Sequence, residues 1–424
     1  MNGILEDKFK SVFEMALGIT EPWELTDMDF RPDGKGKMSM FLEVTFARGS
    51  KFADPSTGEL CDIHDTRERT WRHMNFFQYR CYVTAKVPRI NTSTGVKTVE
   101  VPWGRTGSGF TLMMEGVLLT LLSKLPVSAV ARQVDEHDTR IWRVLNYYVE
   151  EAKKSISLSD VIHIGVDEYS HKGHSYITTF FSKATEKHRK ARVIGIENGK
   201  GMDTVTLFEE KFTSCGGRKD NVICVTSDMC HGYRNAMKNA FSKALITVDK
   251  FHVVKMVSDA LDNVRKREHR SRDKRKADIL GSTRYLFLKN RENLTAEAQA
   301  RLDEILKMED LDTVIAYNFK LRLQGLYELN DYMNAADYIE NLSLDMCNSS
   351  VYEMHSVGES LARNAVEILN YFETKATNAF LEGFNSVISQ IKNAARGFKN
   401  LENFKNMIWF RLGDLTFPSV DFLA

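Results

Sequence analysis

The spacing of hydrophobic and polar residues changes twice along this chain, and the changes predict where its parts lie. From residue 23 to about 102 apolar and polar residues alternate: at 23–30, at 37–46, in FFQYRCYVTAKV and in VKTVEVPW. The turn sequences RPDGKGK and NTSTG interrupt these runs. Alternation bounded by Pro, Asp, Asn and Gly is the pattern of half-buried strands in hairpins, so a small β module is predicted, with a helix over 5–17 before it. Trp71, Phe76 and Phe77 are expected in its core.

Between 111 and 153 the apolar residues recur every three or four positions. TLMMEGVLLTLLSKL is followed by VSAVARQV after Pro126, a polar link DEHD, and TRIWRVLNYYVEEAKK. Val130, Ala131 and Val134 can then face Ile141, Val144 and Leu145 across a tight link, which is the pattern of a helix-turn-helix. Thr139, Arg140 and Arg143 would lie on the outward face of the second helix, the face that enters a DNA major groove. An all-helical linker domain would show similar spacing, and Asp135 stands where a turn glycine is common.

From 161 onward strands and helices alternate. Strands are predicted at 161–166, in SYITTFFS, in ARVIGIE, at 222–226 and at 245–248, with helices at 202–212 and 232–241. Three strands that can meander, followed by βα units, suggest an α/β fold of RNase H-like arrangement, whereas no GxGxxG follows the first strand to suggest a dinucleotide site. Residues 251–370 read as a long all-helical insertion. ATNAFLEGFNSVISQIKNAARGF then supplies a helix that should return to the sheet.

Two apolar strands in this region lead into acids, Asp167 in VIHIGVDEYS and Asp228 in ICVTSDMCHGY. Carboxylates at the rim of a sheet face a crevice, and brought together they repel unless a proton or cation lies between them. Oxygen ligands of this kind suit Mg2+ or Mn2+. Glu382, on the returning helix, is a third acid, and three such groups can hold two ions for an in-line phosphoryl displacement. Asp249 and His252, in VDKFH, either support this site or cap and pack the next helix. The run RKREHRSRDKRK, from Arg265 and Lys266 onward, is either a solvated helix face or a surface that tracks phosphates. Arg396 and Lys399, beyond the Glu382 helix, are further candidates for DNA contact.

Composition narrows the setting. Hydrophobic residues at 43% and charged residues at 27% are ordinary for a globular protein, and 424 residues suggest two or three domains. The net charge of +1 means that any basic binding surface must come from uneven distribution. No apolar run reaches membrane-spanning length, and acids in the first 18 residues argue against a leader peptide, so a cytoplasmic setting is expected. Six scattered cysteines without a CxxC read as reduced thiols.

Several ordered stretches carry a resemblance. HDTRERTWRHMNFFQYRCYVTAKVPR, LPVSAVARQVDEHDTRIWRVL, IGVDEYSHKGHSYIT, VTSDMCHGYRNAM, GSTRYLFLKNRENLT and ATNAFLEGFNSVISQIKNAARGFKNLENF resemble the DDE transposases of the ISL3 family of bacterial insertion sequences. The resemblance implies a zinc ribbon, a helix-turn-helix and an RNase H-like catalytic domain with a helical insertion. Its catalytic acids fall on Asp167 in VDE, Asp228 in SDM and Glu382 in the N-A-x-x-E-G motif. It also implies metal-dependent cleavage at the element ends, strand transfer into target DNA, assembly as a homo-oligomer during synapsis and a place at the nucleoid. A transposase-derived DNA binder without catalysis is the alternative.

On this basis the chain divides into an N-terminal helix and hairpin at 1–50, a degenerate zinc-ribbon-like β module at 51–105 and a helix-turn-helix region at 106–155. An RNase H-like core at 156–252, a helical insertion at 253–372 and a return helix with tail at 373–424 follow. Asp54, Thr57, Asn91 and Thr94 stand where the ribbon's metal ligands belong, so no zinc is expected.

Overall fold

The computed structural model describes residues 2–173, 175–229, 231–375 and 379–417, without the side chains of 2–9, 231, 379, 380 and 382. The chain forms two compact units. One is Met1–Ser155 with Ala394–Arg396 and Leu415–Ala424, and the other is Ile156–Asn393 with Gly397–Asp414.

In the first unit, α1 (Asn2–Leu17) precedes β1 (Trp23–Pro32) and β2 (Met38–Phe46), which pair antiparallel across RPDGKGK. A two-residue pair, β3 (Phe52–Ala53) and β4 (Leu60–Cys61), leads to the long hairpin of β5 (Ile63–Phe76) and β6 (Tyr79–Thr92), and β7 (Gly95–Thr98) pairs with β6. The strand order is β1-β2-β6-β5, with β2 and β6 parallel. The division expected at residue 50 therefore falls inside a single sheet.

Strand β5 shows little alternation because it is an edge strand, and the charges of HDTRERT lie in its exposed half. Trp71 is buried against Trp103 at 5.7 Å between ring centroids, and Trp103 meets Trp23 at 5.1 Å. Phe77, expected in the core, is instead exposed: it occupies the β5–β6 turn with φ of 53°.

Asp54, one of the four places where the resemblance puts a zinc ligand, is held in an ion pair with Lys97 of β7. Lys97 Nζ lies 3.0 and 3.1 Å from the two carboxylate oxygens of Asp54, which is only 2% exposed. Ser56 donates to the same carboxylate from its backbone N–H and its hydroxyl, and with Lys97 it lowers the Asp54 pKa to about 2. Hydroxyls, an amide and a carboxylate already held by lysine do not make a structural zinc site.

Three helices complete this unit: α2 (Leu112–Leu122), α3 (Val127–Val134) and α4 (Asp138–Lys153). Val130 and Ala131 are buried with Ile141, Val144 and Leu145, as the spacing predicts, whereas Val134 is half-buried. Asp135 ends α3 in the left-handed region, with φ of 54° and ψ of 49°. Asp is one of the few residues other than glycine that visit this conformation. Its carboxylate is fixed by Lys37, at 2.9 Å, and by Arg80, and these partners lower its pKa to about 2.

The second unit is built on β8 (His163–Lys172), β9 (Ser175–Ser182), β10 (Arg192–Asn198), β11 (Cys224–Ser227) and β12 (Leu245–Val248). Their order is β10-β9-β8-β11-β12; β8, β9 and β10 are antiparallel, and β8, β11 and β12 are parallel. Helices α5 (Met202–Ser214) and α6 (His231–Ala240) fill the connections. Phe180 of β9 stacks on Phe208 of α5 at 3.8 Å, and Gly195 of β10 lets that pair close.

Strand β8 does not end at Asp167, as the sequence reading has it. It continues to Lys172 because its β9 neighbour continues, whereas the parallel neighbour β11 stops at Ser227. After β12 come α7 (Lys250–His269), α8 (Lys274–Leu280), α9 (Arg284–Leu288), α10 (Ala296–Leu306), α11 (Asp312–Leu326), α12 (Tyr332–Cys347), α13 (Tyr352–Arg363) and α14 (Ala365–Thr374). Their shared core runs from Val253 to Phe372, and Asn370 of α14 donates to the Ile246 carbonyl of the edge strand β12 at 2.8 Å. The chain returns in α15 (Ala379–Ala394) and α16 (Leu401–Leu412). Among the described residues no helix is long and apolar enough to cross a membrane.

A methyl group at Gly195 would meet Phe208 ring carbons at 2.5 and 2.7 Å. Gly195→Ala should therefore cost about 1–3 kcal/mol, measured as a lower denaturant midpoint of the second unit. Asp135→Gly should destabilise less than Asp135→Ala by about 1 kcal/mol, because only the glycine relieves the left-handed backbone. Equal losses in chemical denaturation would contradict this.

Candidate active site and nucleic-acid interface

The sheet register brings the two candidate aspartates toward one rim. Strand β11 pairs with β8 as Cys224 with His163, Val225 with Ile164 and Thr226 with Gly165. Two residues further along each strand are Asp228 and Asp167, and neighbouring strands lie about 4.8 Å apart. Asp228 follows the end of β11, and Asp167 lies where β8 has lost that neighbour. Both are half-buried.

Asp167 is held on both carboxylate oxygens. Oδ1 accepts from the Glu168 backbone N–H at 2.8 Å, and Oδ2 accepts from the Asn385 side-chain amide of α15. The Thr179 hydroxyl of β9 donates to the Asp167 carbonyl at 3.0 Å. Further along, the Tyr169 and Ser389 hydroxyls are 2.9 Å apart, and Lys392 Nζ donates to the Ser170 carbonyl at 2.9 Å. Phe384 stacks on Phe181 at 4.7 Å. These contacts lay one face of α15 along β8. The helical period sets position 382 on the face of Asn385 and Ser389, while the Glu382 side chain lies outside the described residues.

Glu168, which the sequence reading passed over, is a further acid here. Alternation along the strand turns it from the Asp167 side toward Tyr233 of α6. Its pKa is raised, first by burial and then by the charge of Asp228, with Asp167 adding to the effect; Lys200 and a hydrogen bond from Tyr233 oppose the rise. The Tyr233 hydroxyl is itself fixed, 2.6 Å from the Thr178 hydroxyl. The acids thus lie within Coulombic reach of one another, a donor set of hard oxygens whose repulsion a divalent cation would relieve. Among the described residues no three His, Cys, Asp or Glu side chains form a metal-holding group, and Glu382 is not among the side chains described.

Asp249 is 4% exposed and caps α7, its carboxylate accepting from the Phe251 N–H at 3.3 Å. His252 Nε2 lies 4.0 Å from the other Asp249 oxygen. His252 also lines a cavity with Asp228. A signal for Asn385 existed in the sequence, since it follows Glu382 by three positions, one helical turn. Nothing in the spacing of VDE singled out Glu168.

The proposed DNA-contact residues fare unequally. Thr139 and Arg143 are exposed on α4. Arg140 is turned inward: its guanidinium binds Glu136 at 2.6 Å and the Gly109 carbonyl at 2.9 Å, and lies 4.2 Å from the Phe110 ring centre. Arg265 is buried and bound to Asp262 at 2.8 Å, and Lys266 reaches the same carboxylate at 2.8 Å.

Much of the basic run is bound in the same way, Arg267 to Glu353 and Asp312, Arg275 to Asp310 and Lys276 to Glu268. Much of it braces the helical insertion, because the buried or half-buried carboxylates of Asp262, Glu268, Asp312 and Glu353 take up its charge. Arg270, Arg272 and Lys274 remain exposed, as do Arg396 and Lys399.

A mixed sheet with acids gathered at its rim, a helical insertion and a helix-turn-helix in the other unit together define a DDE-type transposase. The family description "Transposase", of the ISL3 DDE type, matches residues 164–408, and "Helix-turn-helix domain of transposase family ISL3" matches residues 99–149. The chain belongs to the ISL3 family of transposases. It is 25% identical to the transposase for insertion sequence element IS1001 of Bordetella parapertussis, over 92% of this chain and 95% of that one. It is 23% identical to the transposase for insertion sequence element IS1557 of Mycobacterium tuberculosis, over 92% of each. Transposases of the DDE type generally use divalent metal ions, and the helix-turn-helix and transposase domains imply DNA binding.

Removing the amide that faces Asp167 would leave a half-buried charge among other acids. Asn385→Ala should destabilise the second unit by about 1.5–3 kcal/mol, the usual worth of a hydrogen bond to a charged group, read as a shift in its denaturation midpoint. An unchanged midpoint would show that α15 is anchored without it.

Proposed function

We propose that this protein cuts DNA at the ends of an insertion sequence and joins the freed ends to target DNA, with Asp167, Asp228 and Glu382 as the metal-binding acids of an RNase H-like core. The observation that carries this reading is the attachment of α15, the helix of Glu382, to the strand of Asp167 through Asn385. That contact links residues 218 positions apart in the chain.

Mg2+ or Mn2+ bound by these acids would supply charge stabilisation at the attacked phosphate and a more acidic water. The chain's own groups do the rest. Asn385 and the Glu168 N–H orient the Asp167 carboxylate, and Thr179 fixes its backbone. Asp249 caps the helix that begins beside the site, and His252 stands close to it.

DNA ends are bound by the helix-turn-helix through Thr139 and Arg143, with Arg396 and Lys399 as further phosphate contacts. Arg140, held by Glu136 and the Gly109 carbonyl, positions α4. Two element ends must meet for joining, so the working form is a homo-oligomer, and the protein acts in the cytoplasm at the nucleoid. All three acidic positions retain acids, which supports an active enzyme over a DNA binder that has lost catalysis.

The test uses the purified full-length protein and a duplex carrying one end of the DNA segment that encodes it. Mg2+ should produce a nick at the boundary, and EDTA should prevent it. Asp167→Asn and Asp228→Asn should each lower nicking at least about a thousandfold, a loss of roughly 4 kcal/mol in the transition state. End binding in a gel shift should persist and should weaken steeply as salt rises. Binding without metal-dependent nicking by the unaltered protein would contradict the proposal.

A further inference from the structure

The turn that leads into α4 is held from outside its own helices. Asp135 and Glu136 are adjacent acids in the link DEHD, and each is bound by an arginine from the sheet of the first unit. Arg80 of β6 binds the Asp135 carboxylate and also donates to the Asp135 carbonyl at 3.2 Å. Its other terminal nitrogen donates to Asp33 at 3.1 Å. Arg72 of β5 lies 3.5 Å from Glu136, and only 1% and 9% of these two side chains are exposed.

The β1–β2 hairpin closes the same clamp. Asp33 accepts from the backbone N–H groups of Lys35 and Lys37 at 2.9 and 3.0 Å, which fixes the loop, and Lys37 Nζ then reaches Asp135 at 2.9 Å. On the side of Arg72, the Gly109 carbonyl accepts from the Arg72 backbone N–H and from the Arg140 guanidinium, both at 2.9 Å. The β1–β2 loop, β5 and β6 are thus all joined to the turn just ahead of Asp138, where α4 begins.

Stability alone does not call for this arrangement. Buried residues on facing sides, among them Val130, Ile141 and Leu145, already give α3 and α4 a shared core. Buried arginines are costly to desolvate, and apolar side chains of similar volume often serve stability as well. What a guanidinium adds is direction, because its planar fork fixes the groups it binds at defined angles.

We infer that Arg80 and Arg72 are positioning residues for DNA recognition: they set the direction in which α4 leaves the turn, and so the way Thr139 and Arg143 meet the base pairs. The inference rests on the reading above that α4 binds the DNA ends. Both guanidiniums are buried, so they act through α4 and not through a phosphate. Recognition helices read bases with their N-terminal residues. A displacement of about 1 Å there misplaces the hydrogen bonds that tell one base pair from another.

The experiment uses the full-length protein and a duplex carrying one end of the DNA segment that encodes it. Gel shifts are run over a range of salt and with single base-pair substitutions in the bound site. Asp135→Asn removes the charge that Arg80 and Lys37 hold, yet keeps a residue that tolerates the left-handed backbone. It should weaken binding roughly tenfold, near the worth of a hydrogen bond to a charged group, and flatten the differences in affinity among the substituted duplexes. Arg80→Gln should do the same with the slope of log affinity against log salt unchanged, because no phosphate contact is lost. With 56% of the Asp135 side chain exposed, Asp135→Asn leaves the fold in place and decides the matter if Arg80→Gln does not fold.

Full base discrimination in Asp135→Asn, whatever its affinity, overturns the role of the clamp and leaves end binding by α4 intact. So does a salt slope that falls by about one in Arg80→Gln, the mark of a direct phosphate contact. No binding by the unaltered protein overturns the reading of end binding and the inference with it.

Discussion

Carboxylates crowded at a sheet rim repel one another, and the second unit is arranged to tolerate that repulsion. Asp167 gives one oxygen to a backbone N–H and the other to Asn385, so part of its charge is balanced by fixed dipoles. Glu168 is raised in pKa by burial and by its acidic neighbours, while Tyr233 and Lys200 restrain it. The geometry depends on α15 lying along β8, held by Asn385, Ser389 and Lys392. The long helical insertion must therefore close on itself, so that the chain leaves the sheet after β12 and comes back in register with β8. Its own continuous core, with α14 set against β12, makes that return possible.

The same economy of charge runs through both units. A net charge of +1 leaves few cations to spare, and most of those in the run from Arg265 to Lys276 are bound to acids of the helical insertion, on the same helix or across to its neighbours. Such pairs contribute little net stability when exposed, but a buried carboxylate such as Asp262 would be costly without its partners. In the first unit Asp54 with Lys97, and Asp135 with Lys37 and Arg80, tie turns to strands. An ion pair with Lys97 thus holds Asp54, one of the places where the family resemblance implies a metal ligand.

Asp135 also shows how a departure from a motif can be resolved locally. A turn glycine is common at this point because the backbone must become left-handed. Asp takes that conformation with its carboxylate locked by two cations, and the helix-turn-helix match at residues 99–149 includes it.

Most of the secondary structure was legible in the sequence because it follows from local periodicity. The hairpin at RPDGKGK, the strand SYITTFFS, the two helices around DEHD and the long helical insertion were all written in the spacing of apolar residues. The acids at Asp167 and Asp228 were legible as well, since apolar strands run into them. Other features are set by partners distant along the chain, and no local pattern encodes them. The parallel pairing of β2 with β6, the edge position of β5, the continuation of β8 beyond Asp167 and the exposure of Phe77 belong to this class. So do the inward turn of Arg140, the burial of Arg265 and the grip of Asn385 on Asp167, because a side chain's partner is fixed only when separate elements pack together.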